Sequence, residues 1–230
     1  MEGDTLWHIA QRFGTSVETI RRLNPVLDER MLTIGQILCL PGATVSSGDT
    51  AISESVLGKY LRTLWEQHVF WTRLFIISAV FNLPDIQPVT DRLLRNPRDF
   101  AAALTPFYGA AGASKFSDLL TAHLTIAAQL VKAAMQSDAA TVSRLQQKWH
   151  SNADDIAAFL GSINPHWPRE EWRRLLDEHL AMTTQEVVDF VGRRYADSVS
   201  VFDRIEKEAL EMADLMTTGL VHQFPGSFIA

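Results

Sequence analysis

From residue 54 to residue 222 the chain is a succession of long apolar stripes with three- and four-residue steps, broken only by short Pro, Gly and Asn joints. Such a pattern specifies α-helices that each bury one face. Long helices are expected over 55–82, 114–136, 139–162, 169–191 and 195–222, with short ones over 90–94 and 97–104. Pro84 stops the first, Pro106-Phe107-Tyr108-Gly109 precedes the second, and Ser137-Asp138 turns the chain into the third. Asn164-Pro165-His166-Trp167-Pro168 reads as a rigid connection. Four or five long helices with short joints pack as an antiparallel bundle.

The expected inward faces are mostly aliphatic and aromatic, with a histidine or an asparagine standing where a leucine would be expected in each of four helices. The first carries Leu61, Leu64, His68, Thr72, Phe75 and Ala79, and the second Leu119, His123, Ile126, Leu130 and Ala134. The third carries Leu145, Trp149, Asn152, Ile156, Phe159 and Ile163, and the fourth Trp172, Leu176, His179, Thr183 and Val187. A leucine three or four residues before each histidine (Leu64, Leu120, Leu176) suggests a repeated helical hairpin.

Buried polar groups need partners. Asp155 lies three residues beyond Asn152, Glu186 seven beyond His179 with Thr183 between, and Glu66 and Arg73 flank His68. One reading is a hydrogen-bonded network that fixes helix register. Another is a transition-metal site for Zn, Fe or Cu, since neutral imidazole ligates all three. A third is a small-ligand pocket between helices. The di-iron bundle pattern requires Glu-x-x-His, which is missing. No metal or cofactor is demanded by the sequence.

The first forty-two residues follow other rules. Asp4 or Thr5 can cap a helix over 6–13 whose apolar face is Leu6, Ile9, Ala10 and Phe13, ended by Gly14. Ser16 caps a second helix with Val17, Ile20 and Leu23 inward, and Asn24-Pro25 stops it. Residues 32–40 read as a strand closed by Pro41-Gly42, and Cys39 within it reads as a packing residue.

The wording GDTL, IA, VETIRRLNP and L-x-I-G-Q-x-L-x-L-P resembles a LysM module, a small α+β domain that binds N-acetylglucosamine polymers such as peptidoglycan and chitin. In that family a strand precedes Gly-Asp-Thr. Here only Met1 and Glu2 stand before Gly3, so the resemblance implies a helix-helix-strand module missing its first strand, with an edge open to another partner. It also implies a glycan site at Gly3, Asp4, Thr5, Leu6, Asn24, Pro25, Val26 and Leu27, with Ile34 flanking. A cell-wall or spore address follows from the same resemblance. The start has no basic region leading into an apolar run, which leaves a cytoplasmic address as the alternative.

The chain thus divides into a LysM-like module at 1–42, a small polar linker at 43–53 and a helical bundle at 54–230, mainly α throughout. Trp65-Glu66-Gln67-His68-Val69-Phe70-Trp71-Thr72-Arg73 and the stretches 106–109, 148–157 and 178–184 resemble an uncharacterised bacterial all-helical family. Relatives in that family sometimes bear the label acetylglutamate kinase. The residues do not support it, because no Gly-rich phosphate loop and no strand pattern follow Pro41.

Other functions are excluded more simply. A net charge of −6 without a basic face argues against nucleic acid, and the most apolar stretch, 74–83, is too short for a membrane span. There is no G-x-S-x-G, no H-E-x-x-H and no Cys–His nucleophile pair. Glu170, Glu171, Asp177 and Glu178 read as a solvated helix face rather than a glycosidase pair. The reading is a non-catalytic glycan-binding protein; the alternative is a metal- or small-ligand-binding bundle, an enzyme among its forms, built on the histidine cluster with the LysM-like module only structural. Met212 and Met216 have core spacing, with a homodimer face as the alternative.

Overall fold

The computed structural model describes residues 5–24, 32, 38, 40 and 52–229. In chain order these hold α1 (Leu6–Arg12), α2 (Val17–Leu23), β1 (Ile52–Ser53), α3 (Glu54–Val80), α4 (Ile86–Leu93), α5 (Asn96–Met135), α6 (Ala139–Ile163), α7 (Arg169–Val191), α8 (Tyr195–Gln223) and β2 (Phe228–Ile229). The fold is mainly α, as the periodicity requires.

The short N-terminal helices owe their start points to side chains. Thr5 is the cap of α1: its Oγ1 accepts from the His8 backbone N–H at 3.3 Å, and the His8 ring accepts from the Thr5 N–H at 3.4 Å. Ser16 caps α2 by accepting from Thr19 N at 3.1 Å. Gly14, at φ 62°, supplies the left-handed step between the helices. Leu6, Ala10 and Ile20 form a small core with Leu32, Leu38 and Leu40 packed against it. Phe13 was expected on that inner face and instead stands 56% exposed, because α1 ends one residue earlier at Arg12. The strand expected over 32–40, together with Cys39, lies outside the described residues except at positions 32, 38 and 40.

The bundle is organised as hairpins. α3 packs against α4, α5, α7 and α8, α5 against α6, and α7 against α6 and α8. Its interior is aromatic near the middle, where Trp65 stacks on Trp172 (centroids 6.2 Å apart) and meets Phe100 edge-on. Met212 and Met216 are fully buried, which settles their role as core and removes them from any dimer face. On α5 the burial is rotated from the expected stripe. Leu120, Leu124 and Val131 are buried while Leu119, Ile126 and Leu130 are only half-buried, since α5 is covered by α3 and α6 on different sides.

The two expected pieces on either side of Pro106–Gly109 are present as two helical segments that follow one another directly across a kink, and both are counted within α5. The chain bends there, because Gly109 takes φ 68°, ψ 175°, a conformation open to glycine. The joint between α6 and α7 is locked. Asn164 donates to Tyr108 Oη at 2.9 Å, Tyr108 donates to Gln223 at 2.8 Å, and Gln223 donates to the Ile163 carbonyl at 2.9 Å. Trp167, fully buried, donates from Nε1 to the Leu215 carbonyl at 3.1 Å. Its indole lies so close to α8 that a β-carbon at Gly219 would sit 2.0 Å from Nε1. Two residues of parallel pairing, Ile52 with Phe228 and Ser53 with Ile229, tie the start of the bundle to its end.

Candidate functional site: a buried histidine layer beside an apolar cavity

Three hairpins bring three imidazoles together. His68 on α3, His123 on α5 and His179 on α7 are each at most 3% exposed. Their ring centroids are 6.3 Å (His68–His123), 5.7 Å (His68–His179) and 6.3 Å (His123–His179) apart. One ring nitrogen from each lies within 4.8 Å of the other two.

Each ring is held from behind by a residue 28 or 29 positions later in the chain. His68 Nδ1 pairs with Asn96 Oδ1 at 3.1 Å, and Asn96 Nδ2 donates to the Leu64 carbonyl at 2.9 Å. His123 Nδ1 pairs with Asn152 Oδ1 at 2.9 Å, and Asn152 Nδ2 donates to the Leu119 carbonyl at 3.1 Å. His179 Nδ1 pairs with Glu208 Oε2 at 3.0 Å. In the first two pairs the amide nitrogen is already committed to a carbonyl, so the amide oxygen must accept. The network therefore assigns the proton to Nδ1 and leaves the lone pair on Nε2. Among the described residues no hydrogen bond reaches Nε2 of any of the three.

Burial and the neighbouring imidazole of His179 hold His68 down to about 3, and burial with the other two rings holds His123 well below the ordinary histidine range. Both are neutral at neutral pH. Burial pushes the Glu208 carboxyl up, against the pull of His179.

The expected partners are partly corrected. Asn152 is in the layer. Asp155 is exposed: three residues past Asn152 it has turned onto the solvent side of α6. Glu186 is buried but belongs elsewhere, paired with Arg73 from α3. Seven residues along a helix is a rise of ~10.5 Å, too far for a bond to His179. Burial pushes the Glu186 carboxyl up to about 7 against the pull of Arg73. The partners not expected from sequence are Asn96 and Glu208. Glu208 had a readable signal, since it interrupts the apolar register Val201, Ile205, Met212, Met216 of α8 just as the histidines interrupt theirs. Asn96, in an Asn-Pro joint, had none.

Below the layer lies an apolar cavity of about 110 Å³. Thr72 and Thr183, one turn on from His68 and His179, line its upper end with Trp149, whose ring is 5.2 Å from His123. Phe75, Leu124, Val131 and Val187 form much of the remaining wall. Thr183 Oγ1, Trp149 Nε1 and Glu208 Oε1 are buried without a hydrogen-bond partner. Elsewhere the acidic face of α7 is a surface ion-pair array: Arg174 joins Glu171 and Glu178, and Arg173 joins Asp154, Glu170 and Asp177. It forms no cleft carboxylate pair.

Of the residues expected at the glycan site, the structure describes Thr5, Leu6 and Asn24. Thr5 is exposed and caps α1. Leu6 is 5% exposed, a core side chain rather than a sugar-facing one. Asn24 closes α2 by donating to the Ile20 carbonyl at 2.7 Å. Gly3, Asp4, Pro25, Val26, Leu27 and Ile34 lie outside the described residues. No described helix is long and apolar enough to cross a membrane. Among curated proteins and solved structures none matches this chain, and the resemblance of its bundle to a helical family finds no counterpart there. The LysM domain model matches residues 2–41, so the chain carries an N-terminal LysM domain of the class that binds GlcNAc-containing polymers.

Proposed function

We propose that this protein is a non-catalytic glycan-binding protein whose LysM domain attaches it to peptidoglycan or a related GlcNAc polymer of the cell wall or spore, with the helical bundle carried there as a binding domain. The observation that carries this reading is the LysM match over residues 2–41. It is supported by the described α1–α2 pair, which keeps its caps and its own small core. Trp7, 58% exposed on α1, adds an aromatic face of the kind that stacks on sugar rings.

Sedimentation with purified peptidoglycan tests it. The full chain should pellet with the polymer, and the full chain carrying Asp4→Ala and Asn24→Ala should remain in the supernatant. A wild-type chain that stays in solution at every polymer concentration would end this reading.

For the bundle, the apolar cavity beside the histidine layer supports a second reading, a receptor for a small, largely apolar molecule. Protection of the thermal transition by such compounds is its measure.

A further inference from the structure

A structural hydrogen-bond network uses up its polar atoms, and this one stops halfway. Each imidazole is fixed through Nδ1, no hydrogen bond among the described residues reaches the other nitrogen, and one ring nitrogen each from α3, α5 and α7 lies within 4.8 Å of the other two. We propose that His68, His123 and His179 hold one divalent first-row transition ion, zinc by preference, through Nε2, with a fourth position turned toward the apolar cavity.

Four features fit. First, three imidazole nitrogens with one remaining position are the donor set of an open zinc site, and imidazole suits that ion. Second, the nitrogens need little movement: from mutual separations within 4.8 Å, closing to a ~2.0–2.1 Å bond draws each inward by less than about 1 Å. Third, the outer partners are those a ligating histidine uses. A ring whose far N–H is held by an amide oxygen or a carboxylate is oriented and made more basic. Asn96 and Asn152 do this without charge, and Glu208 adds one negative charge against the cation. Fourth, the cavity begins one turn below the layer, and Thr183 offers an unpartnered buried hydroxyl there. The molecule it suits is small and mostly apolar, with a single donor atom at the end that reaches the ion.

The experiment uses the full chain, prepared without an affinity tag, stripped with chelator and titrated with zinc chloride against a chromophoric competitor. One equivalent should bind with submicromolar Kd. His123→Gln should weaken it at least a hundredfold, with helix content followed by circular dichroism. Asn152→Ala, which keeps all three ligands, should weaken it about tenfold. His222→Ala should leave it unchanged; it removes the rival surface pair with His166, whose rings are 5.2 Å apart. Should His123→Gln fail to fold, X-ray absorption of the wild-type zinc form decides, and a shell of three imidazole nitrogens is expected. Less than a tenth of an equivalent of zinc, copper, iron, nickel or cobalt would overturn the proposal. So would binding that survives His123→Gln, or an absorption spectrum without imidazole.

Discussion

Two polar layers cross the bundle a few residues apart on the same two helices: His68 with His179, and Arg73 with Glu186. In the second layer the charges are opposite and the valences are filled. Arg73 Nη1 donates to Glu186 and to the Ser198 carbonyl, and its guanidinium lies 5.0 and 4.7 Å from the ring centres of Phe190 and Phe202. No buried atom of Arg73 or Glu186 is left without a partner among the described residues. In the histidine layer only the outer nitrogens are tied, and Thr183, Trp149 and Glu208 each keep a buried polar atom unpaired. Burial of polar groups alone therefore does not mark a receptor. The filled layer is a cross-link between α3, α7 and α8; the half-filled layer is built to accept something.

The comparison can be broken at its strong side first. Arg73→Met removes the cation and strands Glu186, and should cost about 3–5 kcal/mol at pH 8, read by urea unfolding. The loss should be smaller at pH 5, where Glu186 takes up a proton. A loss below about 1 kcal/mol would mean that the layer is not a cross-link at all.

The pH dependence comes next. Glu186 holds its proton up to about pH 7 in the fold, but releases it near the ordinary carboxylate range when unfolded. Its contribution is therefore fully present at acid pH below about 4.5, declines as pH rises to about 7, and is flat above. The slope is at most about 1.4 kcal/mol per pH unit. Unfolding of Glu186→Gln across this window should lose that slope, and an unchanged slope would assign it to other groups.

In the histidine layer the effects should be smaller. Asn152→Leu leaves the His123 Nδ1–H without an acceptor and should cost about 2 kcal/mol. Least of all should be Glu208→Gln, below about 1 kcal/mol, since an amide oxygen still accepts from His179 as it does for the other two rings. A large loss there would show that the carboxylate charge, and not only its oxygen, holds the layer together.

Much of this was readable from residue order. α7 occupies the expected 169–191, and α6 and α8 extend one residue beyond the expected ends, because long amphipathic stripes between Pro, Gly and Asn joints leave little freedom. The three histidines were legible for the same reason, each standing where an aliphatic side chain would continue a stripe. Their partners were less so. Helical spacing along α7 pointed from His179 to Glu186, whereas the bond comes from Glu208 on a neighbouring helix, and a single-helix pattern carries no information about facing residues. Asp155 failed similarly: three residues change the face on a helix whose buried arc is narrow. The break within α5 was visible in Pro106 and Gly109, where the backbone leaves helical geometry. In the LysM domain the caps were legible because they are local, and Phe13 was misplaced because a seven-residue helix has too little stripe to fix its last position.

The short parallel pairing of Ile52–Ser53 with Phe228–Ile229 makes the bundle almost cyclic in its connectivity. A ring has no privileged opening. The bundle could be cut at Ser137-Asp138 and its old ends joined by a short linker without changing which helix faces which. All three histidine pairs would survive that rearrangement: His68–Asn96 and His179–Glu208 each lie on one side of the cut, and His123–Asn152 rests on the packing of α5 against α6 rather than on the turn that joins them.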